Sequence, residues 1–148
     1  MPARLRARRL VARALVDTGA VVALVNRADR HHAAAAEWFQ SFRGQLLTTE
    51  AVVTETAYVL AASPPHQRAA LVWFQRTRAA GLVNVEPVAD YAALARIIAQ
   101  YASLPCDYAD ASLIALAESS GVTAIATIDQ RDFSVYRIRG RRRFTILL

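Results

Sequence analysis

Short apolar runs alternate along the chain with longer stretches in which apolar residues recur every three or four positions. The first pattern reads as a buried strand and the second as a helix. Residues 14–17, 46–48, 82–85 and 122–127 are the predicted strands, and residues 144–148 form a candidate edge strand at the end. Between them the spacing predicts helices over 18–26, 31–42, 50–62, 66–80, 89–102 and 107–119. The breaks carry turn chemistry. Ser63-Pro64-Pro65 ends one helix, Gly44, Gly81 and Gly121 close others, and residues 129–133 read as a tight polar turn. Strands alternating with helices predict an α/β fold of one domain, a central parallel sheet with helices packed on it. No repeat, low-complexity block or linker interrupts the pattern.

Four separated carboxylates stand out against this frame. Ligands of an open parallel sheet bind beyond the carboxyl ends of its strands, where the strand order reverses. Asp17 and Asp129 end predicted strands, and Glu55 and Asp110 lie in helices that follow such ends. Three of the four sit in apolar stretches, where a lone charge is costly to bury. Converging carboxylates repel unless a hard cation neutralises them, and all-oxygen ligation suits Mg²⁺ or Mn²⁺. The arrangement predicts metal-assisted phosphate chemistry.

Each acid also has an ordinary reading. Asp17 could cap the following helix, although Thr18 could do so instead. Glu55 could be a solvated helix residue, Asp110 could support a cap made by Asp107, and Asp129 could be turn chemistry. Asp107 has a secondary metal role as its alternative, and Asp132 is either a fifth acid or a solvated turn residue. Glu50 is five residues from Glu55, roughly 140° around a helix, and reads as compensation of the helix dipole. Thr18 and Ser112 could hydrogen-bond metal ligands. His31 and His32 lack the further ligands a zinc site needs and read as surface or capping residues. Trp38-Phe39 and Trp73-Phe74 read as core. Cys106 has no catalytic partner and reads as a small buried residue.

Composition narrows the classes. The 148 residues are 55% hydrophobic and 20% charged, which suits a globular domain. A single cysteine forms no internal disulfide and fits a reducing cytosol. No apolar run is long enough to span a membrane. The net charge of +6 is unevenly spread. Residues 1–13 hold five arginines and no acid, and residues 131–148 hold six arginines and one acid. The middle has seven arginines against eleven acids. Basic ends around an acidic centre fit a nuclease, with arginines on phosphates and acids on metal; solvated tails are the plainer reading. The first 13 residues resemble a transit peptide in composition, but the first strand follows at once, and they are read as a basic extension before a domain spanning 14–148. All 18 basic residues are arginine. Without lysine, an ordinary P-loop, a Schiff base and the lysine-dependent phosphatase and receiver sites are excluded.

The motifs Leu15-Val16-Asp17-Thr18-Gly19-Ala20, Thr54-Glu55-Thr56-Ala57-Tyr58, Asp107-Tyr108-Ala109-Asp110-Ala111-Ser112 and Thr127-Ile128-Asp129 resemble, in this order, those of the PIN-domain ribonucleases, specifically the VapC-type toxins of toxin–antitoxin pairs. The resemblance covers most of the chain. It implies a three-layer α/β/α fold and a Mg²⁺- or Mn²⁺-dependent RNA endonuclease. It also implies a homodimer and a small antitoxin protein that blocks the site. By the match, Asp17, Glu55, Asp110 and Asp129 form the acidic centre and Thr127 supports it. The basic stretch before the first strand departs from the family, whose members begin close to that strand. Two other functions stand beside this one: a catalytically silent PIN-fold module that grips RNA, and an acid-site phosphatase, which the missing lysine and missing Asp-x-Asp disfavour.

Overall fold

The computed structural model describes residues 12–148. Residues 1–11, most of the expected basic extension, lie outside the described part. Arg13, counted with that extension, is instead inside the first strand.

Five strands form one parallel sheet: β1 (Ala12–Val16), β2 (Gly44–Thr49), β3 (Val83–Glu86), β4 (Ala124–Ala126) and β7 (Thr145–Ile146). Their order is β3-β2-β1-β4-β7. Parallel strands are covered on both faces, so they read as continuous apolar runs rather than alternating ones. Ala14, Leu15 and Val16 accordingly lose all contact with solvent. Leu15, Leu47 and Ile125 point into one core, and Ala14, Val16, Leu46 and Ala126 into the other.

The second core is closed by α1 (Thr18–Val25), α2 (His32–Ser41) and α4 (Pro64–Ala79) through Val21, Trp38 and Phe74. The first is closed by α5 (Tyr91–Gln100), α6 (Tyr108–Ser120) and α7 (Gln130–Val135) through Ile97, Leu113, Ile114 and Phe133. α3 (Glu50–Val59) reaches both, with Val52 in one core and Val53 against the other. The expected three-layer architecture is therefore present. Trp38 and Phe74 are buried as expected, with the half-buried rings of Phe39 and Trp73 packed 5.6 Å apart beside them. At Gly44 a Cβ would stand 2.1 Å from the Ala12 carbonyl oxygen, so only glycine lets β2 start this close to β1.

Three local expectations are corrected. Pro64 opens α4 rather than only ending α3, because proline fits the first helical turn, where the missing N–H has no partner to lose. Residues 129–133 are not a tight turn. Asp129 caps α7, accepting from the Asp132 amide, and Phe133 and Tyr136 bury their rings below it. Phe144 leaves the edge strand and packs on Phe133, while Arg137–Ile138 and Arg142–Arg143 form a small hairpin, β5 and β6, turned through positive φ at Arg139 and Gly140.

The chain runs from β1 outward through β2 and β3, then returns to the opposite side of β1 for β4. The strand order thus reverses between β1 and β4, and a crevice opens beyond their carboxyl ends.

Candidate active site

Asp17 follows β1 directly. Its amide extends the ladder to the Ala126 carbonyl of β4 at 3.0 Å. Its carboxylate is almost fully buried, with Oδ1 accepting from the Thr18 amide (2.7 Å) and Oδ2 from the Thr127 hydroxyl (2.9 Å). The same Thr127 hydroxyl oxygen accepts from the Asp129 amide at 2.9 Å. One threonine at the end of β4 therefore ties Asp17 to the turn that carries Asp129. The tie is made possible at Gly19, where a Cβ would meet Ile128 Cγ1 at 2.5 Å.

Glu55 comes from α3, one turn before its end. Its Oε2 accepts from the Thr18 hydroxyl at 2.7 Å. Asp110 comes from the first turn of α6, beneath its cap Asp107, whose Oδ1 accepts from the Asp110 amide at 2.8 Å. The buried phenol of Tyr136 donates to Asp110 Oδ2 at 3.1 Å. Capping, the ordinary reading of Asp17 and Asp107, holds; Asp129 caps as well, in place of the expected turn, and each cap also faces another acid.

The electrostatics show that the acids share one region. Burial pushes Asp17 up to about 6, and the charges of Asp129 and Asp107 add to this against the two hydrogen bonds. Burial pushes Glu55 up to about 7; the Asp107 charge, a hydrogen-bonding contact with the Asp107 carboxyl group and the Asp17 charge raise it further, while Thr18 pulls it back. Burial also pushes Asp110 up to about 8, with Asp107, Asp17 and Glu55 all adding repulsion and Tyr136 opposing them. Asp132 is raised by its burial and then by Asp129. Among the described residues, the charges that act most on Asp17, Glu55 and Asp110 are those of other carboxylates. The ion pair among the described residues, Arg96–Glu118 at 2.7 Å, lies in another and larger cavity of about 910 Å³ between the sheet, α5 and α6.

The side chains do not, however, form a finished ligand shell. Among the described residues no three Asp, Glu, His or Cys groups stand close enough to grip one ion as they are. The acids stand along a common rim, bonded to Thr18, Thr127, Tyr136 and the helix amides. The donor set still fits a hard divalent cation. It is all oxygen, and each bonded carboxylate oxygen keeps a lone pair free.

Asp107 is drawn closer to the centre than its secondary rank in the sequence suggests, since it acts on Asp17, Glu55 and Asp110 alike. Tyr136 was not legible as a site residue; its one signal is an aromatic three residues beyond Phe133 and four beyond Asp132. Ser112 bonds Thr49 and the Ala109 carbonyl rather than an acid. The Cys106 thiol, pushed up to about 11 by burial and then by Asp110, is buried and unreactive as expected. His32 bonds the Ala23 carbonyl at the surface, away from the acids.

A parallel sheet with an acid-lined switch point, reached from α3, α6 and α7, defines the PIN class of domains. The chain belongs to the PIN domain family, whose model matches residues 14–138. It is 29% identical over 133 residues to Ribonuclease VapC26 of Mycobacterium tuberculosis, a match covering 90% of this chain and 98% of that protein. Its fold is similar to that of VapC20 from the same organism, described as a toxin cleaving the sarcin-ricin loop, with a TM-score of 0.70, 24% identity, and coverage of 81% and 92%. PAE2754 from Pyrobaculum aerophilum is a more distant structural neighbour, with a TM-score of 0.55, 19% identity, and coverage of 93% and 90%. The resemblance drawn from the four motifs is borne out. No helix among the described residues is long and apolar enough to cross a membrane.

Proposed function

We propose that this protein is an RNA endonuclease, the toxin of a VapBC-type toxin–antitoxin pair, acting in the cytoplasm. Its likeness to a named ribonuclease over nearly the whole of both chains supports the reaction class. The observation that carries the assignment to this rim is the set of three carboxyl groups held well above their ordinary range by burial and by the charges of neighbouring carboxylates. A centre of mutually repelling acids suits Mg²⁺, with Mn²⁺ as a substitute, held by Asp17, Glu55, Asp110 and Asp129, with Asp107 beside them. Such an ion supplies Lewis acidity toward a phosphodiester and toward water.

The protein's own contribution is positional. Thr18 and Thr127 fix Asp17 in one orientation. Thr18 also holds Glu55, and Tyr136 steers Asp110. The Asp107 carboxyl group lies against Glu55 and helps to raise it. The arginines of the C-terminal segment suit RNA phosphates, and a small antitoxin and a second copy of the chain are the expected protein partners. Incubation of total RNA with wild type and Asp110→Asn, each with Mg²⁺ or EDTA, tests this reading. Cleavage by wild type in Mg²⁺ alone is the expected result; cutting that persists in EDTA would remove the metal from it.

A further inference from the structure

A second cavity, about 500 Å³, adjoins the acids between α3 and the start of α6. Glu55 and Asp107 form part of its wall, and two tyrosines flank them. Tyr58 is one turn beyond Glu55 on α3, on the stripe shared with Glu50 and Thr54. Tyr108 directly follows Asp107. Their side chains are unusually open for such large rings: Tyr58 is 81% exposed and Tyr108 47%. Neither ring packs on another aromatic ring among the described residues, unlike the clustered rings of Trp38, Trp73 and Phe133.

From this geometry we infer that Tyr58 and Tyr108 form a subsite for one unpaired nucleobase of the RNA strand, next to the phosphate that is cut. The occupant follows from the chemistry of the wall. Exposed carboxylates, Glu50 among them, exclude a phosphate but accept from the N–H groups of a base edge, and Val88 gives an apolar surface behind the rings. Unpaired bases are recognised in this way, by stacking on aromatic faces and by bonds to their pairing edges. The subsite is continuous with the acidic rim and rests on the ribonuclease reading given above. Tyr58 and Tyr108 are positioning residues: they choose which linkage meets the acids and take no part in the chemistry.

A short single-stranded RNA carrying 2-aminopurine, moved one position at a time past the cut site, tests this on the full chain. At one position next to the cut, wild type should quench the fluorophore. Tyr58→Ala should lose the quench and raise KM for the unlabelled RNA about 10-fold with little change in kcat, and Tyr58→Phe should restore both. Removing that base from the RNA should cost wild type the same factor and cost Tyr58→Ala nothing further. Sedimentation should give the same mass for both proteins. Equal quenching by wild type and a Tyr58→Ala/Tyr108→Ala protein, or a lower mass for the variant, would overturn the subsite; the second result would assign the rings to a protein interface. Quenching without cleavage in Mg²⁺ would keep the subsite and remove the ribonuclease reading.

Discussion

The hydroxyl of Thr18 donates to Glu55 Oε2 across 2.7 Å, so the residue that begins α1 orients a carboxylate on α3. Its amide meanwhile donates to Asp17. One residue, through its hydroxyl and its amide, thus sets the spacing of two acids from different elements. Thr18→Val keeps the shape and the amide but deletes the hydroxyl. It should lower RNA cleavage about 10-fold and stability by about 1 kcal/mol, with Thr18→Ser close to wild type. Cleavage rates and urea melts of the three proteins check this; an active valine variant would show that Glu55 needs no holding.

Tyr136 is the only described side chain that donates to Asp110 Oδ2, and both residues are buried. Tyr136→Phe should cost roughly 1–3 kcal/mol of stability, because a buried acceptor loses its partner. The carboxyl of Asp110 should rise further, and Mg²⁺ should bind several-fold more weakly at pH 7. Calorimetric titration of the metal separates this from simple unfolding.

Without metal, the carboxylates make stability fall with rising pH. Asp17, Glu55 and Asp110 titrate near 6, 7 and 8 in the folded chain, against ordinary values of 3.8, 4.5 and 3.8. Between about 4 and 8 the folded state therefore holds protons that the unfolded state has released, and the slope of unfolding free energy against pH is negative. The stabilisation is complete below the ordinary values and lost as pH passes the folded ones. Melting temperature in EDTA should decline from pH 5 to pH 8.5, and Asp110→Asn should flatten the decline. Mg²⁺ should restore stability most at the alkaline end, where protons no longer compete for the acids. A melting temperature in EDTA that climbs across this range would refute the account.

Gly19→Ala places a methyl group 2.5 Å from Ile128 Cγ1. Overpacking of this kind costs about 1–3 kcal/mol, and here it should also part the Asp17 and Asp129 turns. Ile128→Ala in the same chain, which removes both the Cγ1 and the Cδ1 that the new methyl group meets, should recover part of the stability. Denaturant melts of the single and double variants measure the coupling.

Much of this molecule could be read from its residues because period and punctuation agreed. Ala14-Leu15-Val16 is a strand buried on both faces, and Asp107 before an apolar run marks the start of α6 in sequence and in space alike. Residues 129–133 read as a turn in sequence because Asp both opens polar turns and caps helices, and only the burial of Phe133 and Tyr136 decides between them. Tyr136 was hidden for a different reason. Its value lies in a bond to a residue 26 positions earlier, and no local pattern encodes that distance.

The bond from Thr127 to Asp17 spans 110 positions, and Tyr136 is needed later still. During synthesis the first strand emerges long before the segment that completes the rim. A nascent chain attached to its ribosome therefore carries Asp17 without its partners and should be harmless to the RNA around it. Non-local closure of this kind is slow, and it delays activity until the segment that carries Tyr136 has been made.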